Sequence, residues 1–274
     1  MNSQNNLSFF VTFEQTINFI RNRFVAIAIA SVVISLASSL LTYLIMDPST
    51  IAATMIYYSN PADIVGAIFG ILLLLFIIYI FISSVMIGII YNLSTSDKFD
   101  LKLVLQRLLP AFLNLLGFAC IYSIIVIVIT IVFSLIFAII GYILPSRAAN
   151  ILILLSCATI GLFLSVIIYY FCASLIRPSS KGFFQKFADC HKLTATQWKA
   201  PLLMVLISWV INVVLFFISA MLGNNIVVMI IYSVLSTFLG FFVYSFFFRL
   251  YSASNVAEKP NLDDNNQNNQ KVIS

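Results

Sequence analysis

Long apolar runs separated by short polar gaps dominate the chain. Phe24 to Met46, Ile64 to Tyr91, Leu108 to Leu144, Ala148 to Ile176, Ala200 to Leu222 and Ile226 to Phe248 contain no Asp, Glu, Lys, Arg or His. A hydrocarbon core about 30 Å thick is crossed by about 20 helical residues rising 1.5 Å each. Every run is therefore long enough to span. The pattern predicts an all-α, polytopic membrane domain over residues 1–252, with six spans near 24–46, 64–91, 113–140, 151–176, 201–222 and 226–248. The third run exceeds what a bilayer requires, so its start around Pro110 to Asn114 is expected to continue a surface helix.

Between the spans the period changes to that of a half-polar helix. Phe9, Phe13, Ile17 and Ile20 form one stripe, with Glu14, Gln15, Asn18, Arg21 and Asn22 mostly opposite. Lys98, Lys102 and Gln106 recur every four residues against Leu101, Val104, Leu105 and Leu108. In the third stretch Phe183, Phe187, Cys190, Thr194 and Trp198 alternate with Gln185, Lys186, Asp189, Lys192 and Lys199. Such segments lie in the interface plane with one face among the headgroups. Each precedes a pair of spans, which predicts a three-fold repeat of elbow helix plus transmembrane hairpin over 9–91, 97–176 and 182–248. Pro110 and Pro201 fall near the starts of their spans, where a missing N–H costs little.

Charge orients the frame. All fourteen Lys and Arg except Arg147 fall in every second gap, on the side that also holds both termini. The positive-inside rule makes that side cytoplasmic. The first span is expected to be an uncleaved anchor, because its apolar run is too long for a signal-peptide core. Hydrophobic residues make up 62% of the chain and charged ones 8%, against about half and a quarter in soluble domains. The net charge of +5 does not point to nucleic acid, since the basic residues are spread over four segments and topology accounts for them. The outer links, 47–63, 145–147 and 223–225, are too short for a separate domain. Residues 253–274, rich in Asn, Gln and Asp, are expected to form a disordered cytoplasmic tail.

Candidate chemistry is sparse. Cys120, Cys157 and Cys172 lie inside predicted spans and Cys190 in a reducing compartment, so no disulfide framework follows. One histidine and four scattered cysteines offer no metal-ligand spacing, and no cofactor motif is present. Asp189, Cys190 and His191 have the residue types of a nucleophile set, but consecutive helical side chains point about 100° apart and cannot converge. A solvated turn is the expected setting. Small residues at four-residue spacing, Ser31, Ser35 and Ser39, Gly66 and Gly70, and Gly161 and Ser165, are expected to pack helices within the bundle. Asn114 and Asn212 are expected to bond between helices.

At Asn18-Phe19-Ile20-Arg21-Asn22-Arg23-Phe24, at the stretch from Gly182 through His191-Lys192-Leu193-Thr194 to Pro201, and at Phe248-Arg249-Leu250-Tyr251, the chain resembles the YciC family of gammaproteobacterial inner-membrane proteins. The likeness covers roughly residues 15–252. It implies a bacterial inner-membrane location and six helices. That family is functionally uncharacterised, so no active residues carry over. The elbow-plus-hairpin arrangement also looks, more distantly, like the membrane region attached to some glycerophosphodiester phosphodiesterases, without their catalytic domain.

The sequence thus favours a non-enzymatic envelope protein that organises lipid or partner proteins. Its bilayer contacts would centre on the third elbow, where Phe183, Phe184, Phe187 and Trp198 enter the headgroup layer and Lys181, Lys186, Lys192 and Lys199 meet anionic lipid. Each basic residue near such a surface contributes roughly 1 kcal/mol. The rival is a small-solute transporter or channel of facilitator type, whose path Ser and Asn side chains would line. Against a proton-coupled pump stands the lack of ionisable residues at depth.

Overall fold

The computed structural model describes residues 8–45, 61–96, 98–143, 146–223 and 226–257. These form eight helices: α1 (Phe9–Asn22), α2 (Phe24–Ile45), α3 (Pro61–Thr95), α4 (Leu101–Ile143), α5 (Ser146–Ile176), α6 (Phe183–Thr196), α7 (Lys199–Met221) and α8 (Ile226–Ala257). Six of them, α2, α3, α4, α5, α7 and α8, are long and apolar enough to cross a membrane. The protein is an all-α, multi-pass membrane protein.

The first and third elbows are separate helices, α1 and α6, of 14 residues each. The second is not. Leu101 to Ile143 is one helix of 43 residues that passes through Pro110 without a break, about 65 Å at 1.5 Å per residue. Asp100 starts it by accepting the Lys102 N–H on Oδ1 at 2.8 Å. The proline takes one N–H from the ladder, and the carbonyl four residues earlier belongs to exposed Gln106, where interfacial water can replace the lost bond. The amphipathic stretch before Pro110 therefore extends a spanning helix instead of lying beside it.

One further boundary differs from expectation. Helix α8 runs to Ala257, five residues into the segment expected to be tail, where Ser254 donates to the Gln197 side chain at 3.1 Å and Leu250 is buried. The rest of the expected tail and most of the 47–63 link lie outside the described residues. Helix α7 ends at Met221, and Gly223 just beyond it has a φ of +86°, the left-handed value that lets the chain turn away after a helix.

Burial is concentrated at the end of the bundle that carries most of the basic residues, the basic end. Tyr170, Phe171, Leu175 and Ile176 of α5, Met204 of α7, and Phe241, Phe246, Phe247 and Leu250 of α8 are sealed there, with Ile87 and Ile90 of α3. Toward the other end the faces open: Ile124, Ile131, Leu135 and Tyr142 of α4, Leu154 and Leu155 of α5, and Phe216 and Phe217 of α7 are all exposed. Lipid tails solvate such faces as well as another helix would, so their exposure carries no penalty in a membrane.

Helices α3 and α4 cross closely at Gly88, where an added Cβ would lie 2.9 Å from the Val104 carbonyl oxygen. Only a glycine lets the two backbones approach that closely. Helix α1 lies along α8, with Phe9 on Phe246 at 5.5 Å and Phe13 on Phe242 at 5.3 Å.

Candidate interfacial site at the basic end

Helix α6 carries most of the residues singled out in the sequence. Its first turn closes when the Gly182 N–H donates to Gln185 Oε1 at 3.3 Å. Lys181 and Asp189 bridge the same turns at 2.6 Å, both about one-third exposed, a setting in which an ion pair contributes at most about 1 kcal/mol. Lys186, Cys190 and Thr194, four residues apart, form the buried face.

An aromatic stack holds that face in place. Phe118 of α4 stacks on Phe171 of α5 at 4.2 Å and on Tyr122 at 4.4 Å. Phe183 meets Phe171 at 5.6 Å, in space left by Gly117, and Phe187 meets Phe118 at 5.8 Å. His191 completes the contact. Its Nδ1 lies 2.8 Å from the Phe187 carbonyl and its Nε2 3.0 Å from the Tyr122 hydroxyl. A carbonyl only accepts, so Nδ1 carries a proton, and in the uncharged ring Nε2 then accepts from the Tyr122 hydroxyl.

This geometry revises the expectation for several α6 residues. Phe183 and Phe187 turn inward to the stack and Lys186 is only 7% exposed, whereas Phe184 at 75% and Trp198 at 41% face outward. Lys192 and Lys199 are exposed and Lys181 is half-buried. One helical face cannot both fill the seam against α4 and α5 and reach headgroups. The seam takes Phe183, Lys186, Phe187 and Cys190.

Asp189, Cys190 and His191 do not converge. Asp189 bonds Lys181, Cys190 is fully buried, and His191 faces Tyr122. They are not a solvated turn either. Burial pushes the Cys190 thiol well above its usual range, against a smaller opposing hydrogen bond from Ser174, which makes it a poor nucleophile. Beside them, Phe163, Ile167, His191, Thr194, Ala195 and Trp198 line a shallow, mainly apolar groove of about 270 Å³.

Three guanidinium groups tie the basic end together. Arg107 of α4 donates from Nε to the Leu175 carbonyl and from Nη2 to the Arg177 carbonyl, each at 2.7 Å, and so satisfies the end of α5. Arg177 lies 5.2 Å over the Phe248 ring and Arg249 lies 5.1 Å over Phe19. The sequence offered these residues as topology signals. Their role in tying helices together had no local pattern to reveal it.

Of the small residues, Ser31 and Ser35 are fully buried, and Ser35 donates to Thr237 of α8 at 2.9 Å. Ser39 is half-buried. Gly161 sits under the Trp209 ring, 3.1 Å from an added Cβ, and Ser165 donates back to the Gly161 carbonyl. Gly66 and Gly70 are exposed, and among the described residues nothing lies within 4 Å of an added Cβ at either. Ser236 donates to Asn212 between α8 and α7 at 2.9 Å. Asn114, half-buried, instead donates to the Pro110 carbonyl within its own helix at 2.7 Å.

Among the described residues no group of three or more His, Cys, Asp or Glu is placed to hold a metal. No family model, no curated protein and no solved structure matches the chain.

Proposed function

We propose that this is a non-enzymatic protein of a bacterial inner membrane, with both termini cytoplasmic, that organises lipid or partner proteins at the cytoplasmic surface. The observation that carries the reading is the division of α6 into two faces. One is locked into the bundle by Phe183, Phe187, Cys190 and His191, while Phe184 and Lys192 stay exposed on the other, as do Trp198 and Lys199 just beyond the helix. Aromatic rings and lysines displayed together are the pairing that settles at a headgroup layer. Compartment and orientation rest on the asymmetry of the basic residues and on the resemblance to the YciC family.

Quantitative lipidomics and small-solute uptake on a deletion strain and its complemented control test the proposal together. A shift in lipid composition or leaflet balance with normal uptake is the expected result. Uptake loss for one solute with unchanged lipid would replace it with the facilitator reading. That second reading draws on the Ser35–Thr237 and Asn212–Ser236 pairs, which set polar groups of α2, α7 and α8 at helix seams.

A further inference from the structure

We infer that the groove between α5 and α6 holds one acyl chain of an anionic phospholipid, with the headgroup at Trp198 and Lys199. The inference rests on the lipid-organising function proposed above and names the place and the lipid class through which it would act.

The groove continues the lipid-facing side of the bundle. Ile151, Leu155, Thr159 and Phe163 recur every four residues on α5 and all are exposed, and Ile167, next in that row, is half-buried in the groove. Residues four apart on a helix are neighbours on one face, so a single strip leads from the open face of α5 into the groove. Both Phe163 and Ile167 belong to the apolar span of that helix. The other wall is His191, Thr194, Ala195 and Trp198, where Trp198 meets Phe163 at 6.4 Å between ring centroids.

These walls suit hydrocarbon. The Thr194 hydroxyl donates to the Cys190 carbonyl at 2.8 Å, and both His191 nitrogens are engaged, by Phe187 and Tyr122. An apolar chain laid over them strands no donor, so it avoids the cost of burying an unpaired polar group. The space of about 270 Å³ takes roughly nine methylene-sized groups at about 30 Å³ each. A partner helix, about 10 Å across, is too wide for it.

The headgroup end is set by charge. Gln197, beside Trp198, accepts from Ser254 near the end of α8, which puts this mouth of the groove at the basic end. The Trp198 indole is 41% exposed, and its N–H can donate to an ester or phosphate oxygen. Lys192 and Lys199, each one residue past a groove residue, are exposed. The one acid of α6, Asp189, is held by Lys181 at 2.6 Å. That balance favours an anionic headgroup over a zwitterionic one.

Trp209→Phe leaves Trp198 as the chain's one tryptophan. This full-length parent would be reconstituted into phosphatidylcholine vesicles containing phosphatidylglycerol or phosphatidylcholine brominated on the acyl chains, and quenching of Trp198 would give their relative affinities. The expected result is a preference of about five-fold for phosphatidylglycerol, the size of effect one lysine has at an anionic surface. It should fall to near parity in Ala195→Leu, which fills the groove from an exposed position, and persist in Leu154→Phe, on the exposed part of α5 outside the groove. Near parity in the parent would overturn the inference. So would an unchanged preference in folded Ala195→Leu, since lysines alone would then draw the lipid. Failure of both lipids to quench would overturn it too, because another protein surface, such as a second copy of this chain, would then cover the groove. Should Ala195→Leu fail to fold, Phe163→Ala, which removes part of the opposite wall, is read in the same way. Lipidomics on the deletion strain separates the two ideas: a lipid shift there with parity at Trp198 removes the groove site alone, and a five-fold preference without a lipid shift keeps the site and removes the organising role.

Discussion

The Tyr122 hydroxyl donates to His191 Nε2 at 3.0 Å and ties α4 to α6 across 69 positions of sequence. His191 is the chain's one histidine, and this bond gives it a structural task. Tyr122→Phe should cost about 1 kcal/mol, the usual net value of a hydrogen bond. His191→Ala should cost more, because it also strands a half-buried hydroxyl and removes a ring 4.5 Å from Phe187. Thermal unfolding in detergent and limited proteolysis between α5 and α7 measure both. Protease resistance unchanged in both variants would mean that α6 is held without this bond.

Arg107 should prove irreplaceable by lysine. Its planar fork reaches two carbonyls at once, whereas an ammonium is a single point of donation. Arg107→Lys is expected to lose about 1 kcal/mol and Arg107→Ala about 2–3 kcal/mol. If circular dichroism melts placed Arg107→Lys level with the wild type, the second carbonyl bond would count for nothing.

The glycines divide by location. Gly88→Ala places a methyl against the Val104 backbone, which cannot rotate away, and should destabilise by about 1–3 kcal/mol. Gly161→Leu should do likewise, because Trp209 must yield. Gly66→Leu and Gly70→Leu meet open space and should stay within about 0.5 kcal/mol. Melting temperatures compared across the four variants test the division. Equal losses at Gly66 and Gly88 would contradict it.

Cys190 should resist thiol reagents in the folded protein. A variant keeping Cys190 as its one cysteine is expected to react with maleimide at least about ten-fold faster once denatured, even at mildly alkaline pH. Burial raises the folded thiol above the unfolded value. The stability this contributes is whole below the ordinary thiol pKa of about 8.5 and is lost as pH climbs toward the folded value. Rapid native labelling would show that the seam between α5 and α6 opens freely.

The spans were legible because a hydrocarbon core imposes one rule on every residue inside it. Phe24 and Ile226 could be placed at helix starts by counting alone. The amphipathic stripe of α1 likewise gave its helix, since Phe9 and Phe13 share one face. The same stripe at Lys98 and Lys102 misled about the second elbow, because periodicity reports a helix and its faces but not whether the next turn bends away. Small-residue spacing had a similar blind spot. Gly66 and Gly70 repeat as neatly as Ser31 and Ser35, yet among the described residues only the serines found a helix to meet, and the Ser84–Gly88 spacing, passed over in the sequence, marks a close backbone approach. On α6 the aromatic residues divide by angle: Phe183 and Phe187 are one turn apart and go inward, while Phe184, rotated by one residue, goes out.

The guanidinium contacts at the basic end bear on how the molecule acquires its orientation. Arg107, Arg177 and Arg249 count toward the charge bias that guides insertion, and each also has a seat that exists only once its neighbours are in place: the last carbonyls of α5, the Phe248 ring and the Phe19 ring. A hairpin inserted upside down would carry its arginine to the wrong face of the bilayer, far from that seat. Folding would then forfeit those contacts, so assembly of the bundle selects again for the topology that charge selected first. Neutralising any of the three should therefore weaken orientation and packing together, and a topology assay on such a variant would read a folding defect as well.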